Sequence, residues 1–521
     1  MNQSRTTTIT LKHMKRLSFT ISLSTALLVS AILTTDGFAA PKGNKGVKPL
    51  PYHIVEAAAL RGSFENPESV KGSGAELFFV KGQNATARLM LDLGEPSEVQ
   101  ALRITTPAGN FHTFLSECSI GSNPDTLRKL FGRVFNLPSW KEGGTIEINL
   151  PADTVGRYLA LDFTAGYTEG AIKKIELIGR KNIPERHLLL WASDLDRDYR
   201  PKMDFFANDL QLTDIWLDYV ETAFPQTNLN SSIDTLVQSG VLKEFKKRGI
   251  RYWLGEHEAF CSLVNSPEQL RDEVRWMATI RNARAVYSRA RAAGFHGLKI
   301  DAEDYDVVPA DVKEKYKDDT DHVTGWAFKE EYGYTGLYYR RGLEYGRMLK
   351  EVWDCPVIQL YEARNYADKN DSRQGNYWWL KGMHDAGVSD ISIAVEKSYG
   401  AGNNEIAQDP TCGEHLYRWF IRLPELCDAV QKAYPFARRV IPFFHPWNTR
   451  IGAPMYLPKY LQEQLVDATN ITTAFGLYLE GNTSGGDPRD VLKADKLAPY
   501  GITADDYLDV LRKSPHPSKG E

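Results

Sequence analysis

The sequence predicts a multidomain chain, with an all-β sandwich over residues 51–180 followed by an α/β (β/α)8 TIM barrel over 181–521. Three observations carry that expectation. The first segment is built of short alternating runs separated by glycine-rich turns. The second alternates apolar, β-rich runs with long helical patterns, as a parallel sheet with crossover helices does. Charged and aromatic residues in the second segment gather just past the end of each apolar run, where a barrel places its chemistry.

A leader precedes both domains. Lys12, Lys15 and Arg16 form a basic segment, an apolar run follows over 17–33, and Gly37-Phe38-Ala39 places small residues at the two positions a signal peptidase reads. Cleavage is expected after Ala39, because cleavage after Ala40 would set Pro41 beside the scissile bond. Residues 1–39 then form a signal peptide and 40–50 a linker, with Met14 an alternative start. The expected location is secreted or periplasmic, with no membrane association after cleavage.

Composition narrows the classes of partner. Lys and Arg number 63 against 67 Asp and Glu, a net charge of -4, which offers no field for gripping nucleic acid. The five cysteines, Cys118, Cys261, Cys355, Cys412 and Cys427, are too sparse for a disulfide framework. They read as buried thiols, with Cys412–Cys427 the one pairing to consider. Aromatic residues make up 11% of the chain, with 11 Trp and 25 Tyr, enough to serve both as core and as platforms for the C–H faces of sugars.

In the sandwich segment, alternating runs fall at 87–91, 99–104, 145–150 and 158–163, separated by turn clusters at 72–74, 82–84 and 143–144. The stretches Ala87-Arg88-Leu89-Met90-Leu91-Asp92-Leu93-Gly94 and Val99-Gln100-Ala101-Leu102-Arg103-Ile104 resemble the central strands of discoidin-like, galactose-binding-like modules. Gly156-Arg157-Tyr158-Leu159-Ala160-Leu161 and Ile172-Lys173-Lys174-Ile175-Glu176-Leu177-Ile178-Gly179 are similar to the last strands of that family. The resemblance implies either a glycan-binding module or a packing partner of a catalytic domain.

In the barrel segment, eight strand candidates fall at 188–192, 214–217, 251–254, 297–300, 357–360, 391–395, 440–444 and 474–479, with helical patterns at 233–248, 267–293, 337–352, 377–386 and 415–434. Eight such units in roughly 300 residues have the size of a barrel. The competing open doubly wound sheet would want a glycine-rich phosphate turn after its first strand, and Ser193-Asp194-Leu195-Asp196 is not one.

Reading just past each strand gives the candidate site. Asp194 follows strand one, and Asp218 and Glu221 follow strand two. Glu256, His257 and Glu258 follow strand three; Asp301, Glu303, Asp304 and Asp306 follow strand four. Tyr361, Glu362 and Arg364 follow strand five; Glu396, Ser398 and Tyr399 follow strand six. His445 and Trp447 follow strand seven, and Glu480 and Asn482 follow strand eight. Any one of these suits a solvated loop; their coincidence with the strand ends is the signal. Carboxylates with aromatics and a histidine suit glycosidic cleavage, which needs a proton donor and a second carboxylate facing an oxocarbenium-like centre. Along strand four, alternation sends Lys299, Asp301 and Glu303 to one side. Close carboxylates separate one another's pKa values into an acid and a base.

Two resemblances compete on this strand. Phe295-His296-Gly297-Leu298-Lys299-Ile300-Asp301-Ala302-Glu303 resembles the fourth-strand motif of family 18 chitinase-like glycosidases, which implies Glu303 as general acid and Asp301 as its helper. That family's two earlier acidic positions are His296 and Lys299 here. Leu298-Lys299-Ile300-Asp301 is similar to the Lys-x-Asp strand end of the α-galactosidase-like clan, which implies Asp301 as nucleophile, Lys299 against the sugar, and an acid near strand six, where Glu396 stands. Lys299 favours the second mapping.

The expected function is therefore glycoside hydrolysis of a poly- or oligosaccharide, retaining, with no cofactor and no metal. Asp301, Glu303 and Glu396 are the catalytic candidates. Lys299, Tyr361, Tyr399, His445, Trp447, Glu480, Asp194 and Glu256 are the substrate-binding ones. Two other classes fit the same residues: a catalytically silent glycan-binding barrel, and a metal-dependent hydrolase or lyase using the acidic rim.

Overall fold

The computed structural model describes residues 48–65, 78–131, 134–138, 143–166, 169–190, 199–220, 231–256, 270–301, 334–362, 374–396, 423–448, 452–479 and 486–514. The signal segment, Asp194, Glu303, Tyr399 and Glu480 lie outside them. For Asp218, Asp301, Tyr361, Glu362 and Glu396 the backbone alone is described.

The first ten strands are β1 (Lys48–Leu50), β2 (His53–Glu65), β3 (Phe78–Thr106), β4 (Thr113–Gly121), β5 (Arg128–Phe131), β6 (Phe135–Asn136), β7 (Gly144–Asn149), β8 (Val155–Ala165), β9 (Glu169–Ile172) and β10 (Lys174–Lys181). All their pairings are antiparallel. The long β3 serves two layers. Its first half lies between β2 and β8; its second half, beyond Ser97, lies between β10 and β7. The change of layer falls at Gly94, whose φ of +77° suits glycine and whose N–H donates to Asp92 Oδ1 at 2.8 Å. Alternate residues Leu89, Leu91, Leu102, Ile104, Leu159, Leu161 and Phe163 are fully enclosed between the layers. The segments that resemble discoidin-like modules are thus the central strands β3, β8 and β10, and the unit is an antiparallel β-sandwich.

The remaining strands are β11 (Glu185–Leu190), β12 (Asp214–Val220), β13 (Arg251–Glu256), β14 (Leu298–Asp301), β15 (Val357–Glu362), β16 (Ile391–Glu396), β17 (Arg439–Phe444), the short pair β18 (Trp447–Asn448) and β19 (Ala453–Pro454), and β20 (Ala474–Leu479). β11 to β17 and β20 are parallel and close into an eight-stranded barrel. Helices α1 (Ser231–Ser239), α2 (Val241–Lys247), α3 (Glu273–Ala293), α4 (Tyr334–Val352), α5 (Gln374–Asp385), α6 (Leu423–Ala433) and α7 (Pro458–Ile471) alternate with these strands, and α8 (Ala504–Lys513) ends the described chain. No helix among the described residues is long and apolar enough to cross a membrane.

Two separate apolar clusters follow from strand alternation. Leu188, Ile215, Leu217, Leu254, Leu298, Ile300, Val357 and Ile393 face the helices; Leu189, Trp216, Trp253, Ile358, Leu360, Ala394, Ile441 and Phe443 fill the lumen. Gly476 belongs to the lumen by necessity: a Cβ there would lie 2.1 Å from the Phe443 ring. Trp379 is fully enclosed and its neighbour Trp378 is half-buried, so the tandem tryptophans are largely packing residues.

Strand registers assign the luminal levels. In an eight-stranded barrel of shear 8, a horizontal level climbs about one residue per strand relative to the hydrogen-bonded register. The pairs Asp301↔Leu360 and Leu360↔Ala394 therefore put Asp301 level with Glu396, and Glu396↔Phe443 and Phe443↔Gly476 put Glu396 level with Tyr478. One level deeper on the same alternate strands lie Trp216, Lys299, Ala394 and Gly476. The contacts agree, since the Lys299 ammonium is 5.8 Å from the Trp216 ring centroid.

Candidate functional site

Four consecutive strands, β13 to β16, end on a carboxylic acid: Glu256, Asp301, Glu362 and Glu396. All four strand ends lie at the C-terminal rim, where barrels carry their active sites. Asp301 and Glu396 share a level and sit two strands apart, a backbone separation of about 10 Å across the sheet. Lys299, one level beneath, is fully enclosed, and Tyr478 shares the carboxylate level with 1% exposure. His445 follows β17 directly, is 3% exposed, and meets the Tyr478 ring edge-on at 5.2 Å. The backbone of Tyr361 pairs with Val395, one residue short of the Glu362–Glu396 pair.

Two rim candidates are placed elsewhere. Glu256 is fully buried on the outer side of its strand and accepts hydrogen bonds from the phenols of Tyr287 on α3 and Tyr345 on α4, the latter at 3.0 Å. Parity is the reason: Trp253 faces the lumen, so Leu254 and Glu256 face the helices. Trp447 is also fully enclosed. Its indole N–H donates to the Gly486 carbonyl at 3.0 Å and its ring packs on Tyr507 of α8 at 5.4 Å. An enclosed indole has no face to offer a sugar, so both residues are corrected from binding candidates to packing residues.

The opposite end of the barrel carries a charge network that reading strand ends did not find. Glu185, Asp214, Arg251 and Arg439 each begin a strand. Arg251 Nη2 reaches Asp214 Oδ2 at 2.6 Å and Glu185 Oε1 at 2.9 Å, and Arg439 Nη2 reaches Glu185 Oε2 at 2.7 Å. Asp214 also accepts from Trp253 Nε1 at 2.7 Å and Thr213 Oγ1 at 2.6 Å. His187 accepts the Trp216 indole N–H at 3.2 Å on Nδ1, which leaves its proton on Nε2, 3.5 Å from Glu185. Burial alone would raise Glu185, but Arg439, His187 and Arg251 outweigh it and hold the group well below the usual carboxylate range. Asp214 is likewise lowered, with burial opposed by His187 and Arg251. Burial and Arg251 push His296 down to about 4.

Glu185, His187 and Asp214 offer ligand atoms within 4.8 Å of one another. Both carboxylates are already neutralised by Arg251 and Arg439, so the group is assembled as an ion-pair network. Its place at the N-terminal face is where barrels put stabilising residues. The sequence signal was polar residues at strand starts, in step with the luminal positions.

The sandwich docks on this same N-terminal face. Asp153, with φ +60°, accepts from Thr473 N at 2.6 Å and Thr472 Oγ1 at 3.2 Å at the foot of β20. Arg128 lies 3.7 Å from Asp428 on α6, and Asn182, in the link between β10 and β11, donates through Nδ2 to the carbonyls of Thr469 and Thr472 at 2.6 and 2.9 Å.

No family model matches the chain, and no curated protein matches it. Among solved structures, it is similar to a GH26-CBM35 β-(1,4)-mannanase of Podospora anserina, at 8% identity and TM-score 0.32, covering 91% of this chain and 97% of that one. It is similar to CBM22-1–GH10 modules of a Clostridium thermocellum endo-1,4-β-D-xylanase complexed with xylohexaose, at 10% identity and TM-score 0.33, covering 83% and 90%. A truncated protein with CBM32 and alginate lyase domains matches at 18% identity and TM-score 0.22, covering 29% of this chain and 39% of that one.

Proposed function

We propose that this chain is an exported, retaining glycoside hydrolase that cleaves a poly- or oligosaccharide at the C-terminal mouth of its barrel. The observation that carries the reading is the level shared by Asp301 and Glu396 at the ends of β14 and β16. Retaining glycosidases work with two carboxyl groups about 5–5.5 Å apart, and side chains converging from strands about 10 Å apart can meet that spacing.

In this reading Asp301 attacks the anomeric carbon. Glu396 protonates the leaving oxygen and then, as a base, takes a proton from the water that releases the sugar. Lys299, His445, Tyr361, Tyr399, Glu480 and Asp194 are the substrate-binding set. Glu303 is the alternative acid of a substrate-assisted mechanism. Domain limits of 40–50 for the linker, 51–180 for the sandwich and 181–521 for the barrel belong to the same proposal, as does a secreted or periplasmic location.

The test is a screen of the purified protein against a polysaccharide panel, reading reducing ends released. Turnover of one glycan class is expected. Tight glycan binding with no bond cleaved would instead mark a binding protein.

A further inference from the structure

Thr473, the residue before β20, joins three parts of the molecule. Its N–H donates to Asp153 Oδ1 of the sandwich at 2.6 Å, its carbonyl accepts from the Glu185 N–H at 2.8 Å, and its hydroxyl accepts from Arg439 Nη1 at 3.3 Å. Through its other arm, Nη2, Arg439 holds Glu185 Oε2 at 2.7 Å. Arg439 is 8% exposed, so carboxylates and not water must balance its charge. Glu185 does so within the barrel, and Asp153 is the carboxylate that the sandwich brings. Burial lowers Arg439, but Glu185, Asp153 and Asp390 outweigh it. Burial raises the Asp153 carboxyl, opposed by Thr473, Arg439 and Arg128.

The connection between the domains is equally tight. Residues 182–184 alone separate β10 from β11, and Asn182 is buried. Its N–H donates to the Pro96 carbonyl of the sandwich at 3.0 Å, while its side chain donates to Thr469 and Thr472 of the barrel. Thr472 in turn donates to Asp153 Oδ2 at 3.2 Å. A short link bonded on both sides gives the sandwich no free swing.

We infer that Arg439 is a counter-charge shared by the two domains, and that the sandwich is a fixed cap whose Asp153 completes the charge network of the barrel floor. Sandwich and floor then open as one cooperative unit. The inference goes beyond the proposed function and stands whether or not the barrel cleaves a glycan.

The experiment is a denaturation cycle on the full chain at neutral pH, with wild type, Asp153→Asn, Arg439→Met and the double variant. Asn keeps an oxygen for the Thr473 N–H and removes the charge. Each single variant should lose stability. The double variant should lose less than their sum, with a coupling of about threefold or more in the unfolding equilibrium. Losses additive to within about twofold overturn the shared charge.

If Arg439→Met does not fold, native-state hydrogen exchange in Asp153→Ala decides the matter. The Glu185 amide bonds to Thr473 wholly inside the barrel. Its exchange should quicken about tenfold, together with the sandwich amides, if the two open as one unit. Quickening confined to the sandwich, with the Glu185 amide as protected as in wild type, overturns the inference.

Discussion

The carboxylate of Asp153 in the sandwich accepts the backbone N–H of Thr473, the residue before the last barrel strand, at 2.6 Å. The two domains therefore share a joint at the barrel floor, at the far end from the proposed mouth. Changing Asp153 to Ala strands a buried N–H and should cost about 1–3 kcal/mol. Turnover of small aryl glycosides should be unchanged, because the joint is remote from the strand ends. A chain beginning near residue 181 should behave alike: less stable, and still active on small substrates. Loss of small-substrate turnover in a folded truncation would show that the sandwich takes part in the chemistry.

The floor network sets an acid limit. The folded-state pKa values of Glu185 and Asp214 lie below their ordinary values, so they bind fewer protons folded than unfolded in that range. Their stabilisation is complete above the ordinary carboxylate range of about 4 and is lost as pH falls through the lowered values. Asp214→Asn should be destabilised near pH 7 by about 3–5 kcal/mol, since it leaves Arg251 with fewer partners. The gap from wild type should shrink below about pH 4. A gap independent of pH would contradict the network as described.

Arg186 is buried and donates to the carbonyls of Leu210, Leu511 and Ser514, so it holds the C-terminal end of α8 to the barrel. Burial pushes its pKa down to about 10, still charged at neutral pH. Arg186→Met should cost about 2–3 kcal/mol and speed proteolysis near residue 514 ahead of global unfolding. Uniform cleavage along the chain would place the loss elsewhere.

Glu256→Ala and Trp447→Ala should behave as core changes. The first leaves the phenols of Tyr287 and Tyr345 without their acceptor. The second opens a cavity, at about 3–5 kcal/mol. Melting temperature should fall in both while KM for a small substrate stays constant. Tyr399→Ala should raise KM with little change in melting temperature. The opposite pattern would return Trp447 to the substrate surface.

Particular residues show what the sequence could and could not disclose. The lumen-filling runs around Trp216, Ile358 and Phe443 are apolar enough to mark their strands, and the polar residues after them mark the rim. Glu185, Arg186 and His187 begin β11 but escaped hydrophobic periodicity, because their burial depends on partners 24 to 328 residues away. Glu256 was misplaced because a strand end faces in or out by parity, and Trp253 settles that parity only once the lumen is known. Trp447 follows a rim strand in sequence but is enclosed by α8, an element about 60 residues later whose docking no local pattern reveals. The joint between Asp153 and Thr473 likewise has no local signature.

The most direct test of the central claim concerns Asp301 and Glu396. Asp301→Asn and Glu396→Gln are near-isosteric, so both should fold while turnover falls by about two to four orders of magnitude. Added azide should rescue Asp301→Ala and yield a glycosyl azide of anomeric configuration inverted relative to the substrate. If Glu303 were instead the acid of a substrate-assisted mechanism, Glu303→Gln would spare substrates with good leaving groups and activity would require an N-acetyl sugar. Wild-type turnover in Asp301→Asn and Glu396→Gln would contradict the account.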